Sequence, residues 1–145
     1  MKSQGFHWTK AENHLPYAGE AITDTIQQVV SKAVLDIQAE AVASSPVSRS
    51  GGRLKTSIQP ILPDAWGSGD IAGGVGSNVE YAAYVELGTG AAGAGSAYPY
   101  PRTARYTMSW SGMRARAMIG NAAKRVEPGY VAAMSRIGSM LPRKV

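Results

Sequence analysis

The chain has 145 residues, enough for one domain with a real hydrophobic core, and 44% of them are hydrophobic. The absence of cysteine excludes a disulfide framework, a thiolate zinc site and a cysteine nucleophile. The formal charge of +5 is unevenly placed: residues 1–90 carry six basic and nine acidic side chains, whereas residues 91–145 carry nine basic ones and only Glu127.

No apolar run approaches the roughly 18 residues that span a bilayer. The opening stretch lacks the apolar centre and cleavage pattern of a signal peptide. A soluble, loop-rich, intracellular domain is the expectation. Residues 1–19 are polar, with isolated anchors at Phe6, Trp8, Leu15 and Tyr17. They read either as a disordered arm or as an arm whose aromatics dock on a neighbouring subunit. From Glu20 to Ala43, Ile22, Ile26, Val29, Val30, Ala33, Val34, Ile37 and Ala41 form the stripe of an amphipathic helix. Ser44-Ser45-Pro46 ends it, because proline disfavours α geometry in the residue before it.

After a Ser/Arg/Gly turn, Leu54, Thr56 and Ile58 alternate with polar residues, which predicts a half-buried strand. Pro60 marks that strand as an edge or a bulge. A loop follows from Pro63 to Asp70, and Ile71, Val75 and Val79 predict a second, glycine-rich strand. The run Tyr81–Leu87 fits both helical and strand spacing. Residues 88–97, nearly all Gly and Ala, read as a flexible loop.

From Tyr98 to Trp110 the even positions are mostly apolar, which predicts a strand. Met113, Ala117, Met118 and Ala122 are spaced for a helix, and Val126, Val131, Met134, Ile137 and Leu141 extend it. Pro128 either kinks this helix or starts another. The expected fold is therefore α+β: a long N-terminal helix on a small antiparallel sheet, a long Gly/Ala loop and a C-terminal helix. One domain is expected over residues 20–145.

Little in the chain points to catalysis. Gly88-Thr89-Gly90-Ala91-Ala92-Gly93 spells GxGxxG, but a dinucleotide site needs that turn to open a helix. Gly95, Pro99 and Pro101 follow, so no helix is expected there. His7 and His14 lack a ligand pattern, and no cofactor or metal is expected. Glu86 is expected to accept hydrogen bonds from the glycine-loop backbone rather than to act in acid–base chemistry. The basic third, with Arg102, Arg105, Arg114 and Arg116 among Tyr98, Tyr100, Tyr106 and Trp110, suits either an acidic partner or non-specific DNA. A basic DNA-binding accessory protein is the alternative to a structural role.

Three blocks carry a resemblance. They are Ser45-Pro46-Val47, then Ser50-Gly51-Gly52-Arg53-Leu54-Lys55-Thr56-Ser57-Ile58, and Val75-Gly76-Ser77-Asn78-Val79-Glu80-Tyr81-Ala82-Ala83-Tyr84-Val85-Glu86-Leu87-Gly88-Thr89-Gly90. Together they resemble the tail-completion, or head–tail joining, proteins of long-tailed bacteriophages. Pro46, Gly52, Leu54, Ser57, Ile58, Tyr81, Ala82, Tyr84, Glu86, Gly88 and Thr89 are the matching positions.

The resemblance implies a non-enzymatic α+β subunit of a ring in the virion neck, usually a hexamer. Its partners would be head-closure (stopper), tail-terminator or tail-tube proteins. Trp8, Tyr17, Gly90, Gly93 and Gly95 are then candidate subunit contacts. Arg102, Arg105, Arg114 and Arg116 are candidates for a lumen or an acidic partner, and DNA in the channel is a possible neighbour.

Overall fold

A computed structural model describes residues 20–46, 52–63, 71–96 and 106–141. The N-terminal arm with Trp8 and Tyr17, the Ser/Arg/Gly turn, most of the 63–70 loop, and residues 97–105 with Arg102 and Arg105 lie outside the described residues.

The predicted first helix is present as α1, Glu20–Ser44. Its stripe is the floor of the core: Ile26, Val30, Val34, Ile37 and Ala41 are all buried. At its end the Ser44 hydroxyl donates to the Glu40 carbonyl and also reaches the Ala41 carbonyl at 3.3 Å, where it takes the place of a further helical N–H. Pro46 follows immediately and blocks propagation.

The expected strand over Leu54–Ile58 is instead a short helix, α2 (Arg53–Ser57), which hands over to β1 (Ile58–Ile61). Leu54 and Ile58 are two apart in the alternation but also four apart in sequence, and both are buried. Local hydrogen bonding decides between the two periods. The Thr56 hydroxyl donates to the Arg53 carbonyl and the Ser57 hydroxyl to the Leu54 carbonyl, closing a helical turn.

β1 pairs antiparallel with β2 (Gly74–Ser77), and Ile58 stands opposite Ser77. A two-stranded sheet has only edges, so Pro60 is accommodated without loss of a ladder bond elsewhere.

The ambiguous run after β2 is helical: α3 spans Ala82–Leu87. A single turn, α4 (Gly90–Ala94), follows within the stretch expected to be a flexible loop. The C-terminal helix α5 runs from Met118 to Met140, five residues later than its apolar spacing from Met113 suggests. Pro128 lies inside α5 and neither ends it nor starts it. It is exposed, so solvent can take the carbonyl its missing N–H leaves free.

The core sits where α1 crosses α5 over the sheet. Ile119, Ala122 and Ile137 of α5 join Ile58, Val75 and the α1 stripe in one cluster. Each fully buried isoleucine contributes roughly 1.5–3 kcal/mol of transfer free energy. Gly73 shows how close α1 lies: a Cβ there would come within 2.6 Å of Val34 Cγ2. Arg125 of α5 reaches Glu40 of α1 at 3.0 Å, but both are exposed and the pair adds at most about 1 kcal/mol. The architecture is α+β, as expected. Among the described residues no helix is long and apolar enough to cross a membrane.

Candidate assembly surface

The block from Tyr81 to Thr89 stands at the junction of α3, α4 and α5. A turn closes first, with the Ala82 N–H on the Val79 carbonyl at 3.0 Å. α3 then sorts its side chains by face. Tyr84 points out and is 61% exposed, whereas Glu86, two residues on, is 3% exposed.

A carboxylate that deep requires hydrogen-bonding partners. Glu86 accepts from the Ile119 N–H at 3.2 Å and the Gly120 N–H at 2.8 Å. It therefore caps α5, whose first N–H groups have no intrahelical acceptor and whose dipole favours a negative group. The expectation that Glu86 accepts from the glycine loop is corrected here. The amides of Thr89, Ala91 and Ala92 go instead to carbonyls of the 110–113 segment, and those of Gly93, Gly95 and Ser96 to carbonyls within the loop. The backbone reinforces the junction: Arg116 N–H donates to the Val85 carbonyl at 2.8 Å and Ala117 N–H to the Glu86 carbonyl at 3.0 Å. Ala117 takes a left-handed conformation, φ 46°, to turn the chain into α5.

The glycine stretch forms a latch. Thr89 N–H donates to the Met113 carbonyl at 2.8 Å, and Met113 N–H returns a bond to the Thr89 carbonyl at 3.0 Å. Ala91 N–H reaches the Trp110 carbonyl at 3.1 Å and Ala92 N–H the Ser111 carbonyl at 2.8 Å. Tyr106 closes the other side, its hydroxyl donating to the Leu87 carbonyl at 2.8 Å.

Two glycines make the latch possible. At Gly112 (φ 68°) a Cβ would overlap the Thr89 carbonyl oxygen. At Gly88 (φ 74°) it would stand 2.6 Å from the Met113 carbonyl oxygen. Both conformations are open to glycine and strained for other residues.

The latch also explains the GxGxxG. Contrary to expectation a helical turn does open at Gly90, yet its amides are occupied by Trp110, Ser111 and Thr89 carbonyls. The Ala91, Ala92 and Gly93 N–H groups are thereby withdrawn from any phosphate.

Gly52 precedes α2 in a left-handed conformation, Leu54 and Ile58 are buried, and Pro46 and Ala82 are half-buried. The Ser57 and Ser77 hydroxyls meet at 2.6 Å across the strands. Gly90 and Gly93, expected at a subunit contact, are buried against the chain's own latch. Gly95 ends α4 and is exposed, as are Arg114 and Arg116 on the way to α5.

The predicted strand ending at Trp110 is not present over the described residues 106–110. Beyond the isolated bridge of Thr89 with Met113 this segment has no strand partner, because its carbonyls serve the helical turn opposite. Its apolar side chains do not face a core. Met108, Trp110 and Met113 are exposed, Trp110 by 55%. Sequence periodicity placed them inside; only Gly112 among them hinted at a special backbone.

Among the described residues no group of three or more His, Cys, Asp or Glu could hold a metal ion. A protein-family model described as "Bacteriophage HK97-gp10, putative tail-component" matches residues 12–88, just over half of the chain. No curated protein and no solved structure matches.

Proposed function

The chain belongs to the HK97-gp10-like family of bacteriophage tail components, and from that premise we propose that it is a tail-completion subunit joining head to tail. A tail component resides in the virion and contacts other virion proteins. The finer reading is a ring, hexameric by resemblance, seated between head-closure proteins and the tail terminator or tube. It acts by contact rather than by chemistry.

The observation that carries this reading is how the Tyr81–Gly88 block, within the matched residues 12–88, is used. Its one acidic side chain within α3, Glu86, is consumed as a helix cap, while Tyr84 and Tyr81 are left on the surface. A buried carboxylate committed to two backbone amides holds a scaffold; exposed aromatics offer binding energy. The charge asymmetry of the two chain halves suits head-to-tail closure of a ring, in which unlike faces meet. In such a ring Arg114 and Arg116 would face an acidic partner or DNA in the lumen. The alternative, a basic DNA-binding accessory protein, is not favoured by membership of a tail-component family.

Removing the gene from the phage tests the reading. Electron micrographs of lysates should show filled heads and finished tails lying apart. Joined, infectious particles at normal titre would refute it. Deleting Ala91–Ala94, which a flexible loop would tolerate, is not a clean test, because those residues are the helical turn of the latch.

A further inference from the structure

We propose that the outward side of the latch, centred on Trp110, seats on the solvent face of α1 in a second copy of the chain. This rests on the reading of the protein as a ring-forming tail subunit and names the surfaces that would meet.

Met108, Trp110 and Met113 are three large apolar side chains within six residues, and all are exposed. Their exposure is enforced. The four backbone hydrogen bonds from Thr89, Ala91, Ala92 and Met113 fix the segment, and Gly112 leaves no room to rotate it against Thr89. Turning the backbone of this segment to carry Trp110 toward the core would break these bonds. A rigid tryptophan flanked by methionines is already organised for binding, so little conformational freedom is lost on contact. Arg114 and Arg116 give the rim a positive charge.

The complementary surface lies on the same chain. On the solvent face of α1, Asp24, Gln28, Ser31 and Leu35 follow helical spacing and line a shallow hollow of about 640 Å³. Leu35 is an exposed leucine in an otherwise polar setting. Lys32 and Asp36 pair with each other, and among the described residues Asp24 at this rim has no ion pair. One chain thus presents an apolar knob with a basic rim and a largely polar hollow that offers one apolar side chain, Leu35, with Asp24 at its rim. Two unlike surfaces on one chain make a heterologous contact, the kind that closes a ring. Charge matching fixes its register.

The absence of native cysteine makes the test direct. Phage carrying Leu35→Cys with Met113→Cys, which leaves Trp110 intact, are purified and treated with a short bis-maleimide. The double variant should give a ladder of covalent multimers, and each single variant should give none. Adding Trp110→Ala should cut the ladder by about thirtyfold; Trp110 is exposed, so this change leaves the core untouched. No ladder from particles that contain the protein, dimers from Met113→Cys alone, or a cross-link to a different virion protein would each overturn the proposed contact. Absence of the protein from purified particles would instead overturn the tail-component reading.

Discussion

The two ends of this molecule are built on opposite rules. Where α1 crosses α5, side chains do the work: Ile26, Val30, Val34 and Ile37 meet Ile119, Ala122 and Ile137, and the charged residues stay outside. At the latch the backbone does the work, through amide–carbonyl bonds and glycine contacts, and the large apolar side chains are left in solvent. The first rule stabilises the fold by removing apolar area from water. The second keeps a surface in a fixed shape without using its apolar side chains, so they stay available to a partner. Glu86 couples the two, since it lies in α3 yet caps the helix that completes the core.

The sharpest way to break this contrast is Gly112→Ala. The added Cβ meets the Thr89 carbonyl and the residue must hold a positive φ. We expect the latch to lose about 4 kcal/mol of local stability, the sum of strain and overlap. Hydrogen exchange would show this as lost protection at Thr89, Ala92 and Met113, with the α1 amides still protected.

Ile58→Ala makes the opposite cut. It leaves a cavity under α1 and should lower global stability by about 3 kcal/mol in urea unfolding. Protection should then fall everywhere, latch included.

Glu86→Gln probes the coupling. A carboxamide has one acceptor oxygen where the carboxylate uses two, so one α5 N–H loses its partner. A loss of about 2 kcal/mol is expected. Protection at Ile119 or Gly120 should fall before that of the α1 stripe.

The smallest effect concerns pH. Burial pushes the Tyr130 phenol above its ordinary value of 10.0. The folded chain therefore holds this proton more tightly than the unfolded one. Its contribution is complete below about pH 10 and is lost as pH rises through the folded value. Tyr130→Phe should remove that alkaline component and leave stability at pH 7 nearly unchanged.

The same contrast explains what could be read from residues alone. α1 was legible because one long stripe repeats at helical spacing and Pro46 stops it. Glu86 was legible as a structural acceptor, but not its donors. They lie 33 and 34 residues further on, and nothing local identifies them. The latch was the least legible part. A run of Gly and Ala reads as flexible when its partners are unknown, and here they are the carbonyls of Trp110, Ser111 and Met113. Alternation over residues 106–110 suggests a strand, but residues 107–111 are all exposed, so no buried face stands behind the pattern. Apolar pattern says which residues could be buried; it does not say that Trp110 is held outside.

Complementation most directly tests whether that outward surface is where the function lies. A phage lacking the gene is supplied with the Tyr84→Ala, Trp110→Ala double variant, and joined particles are counted beside those made with the unaltered chain. Both side chains are exposed, so the variant should unfold at the same urea concentration as the unaltered chain. Normal stability with few or no joined particles is the expected result. Normal stability with a full yield of joined particles would contradict it.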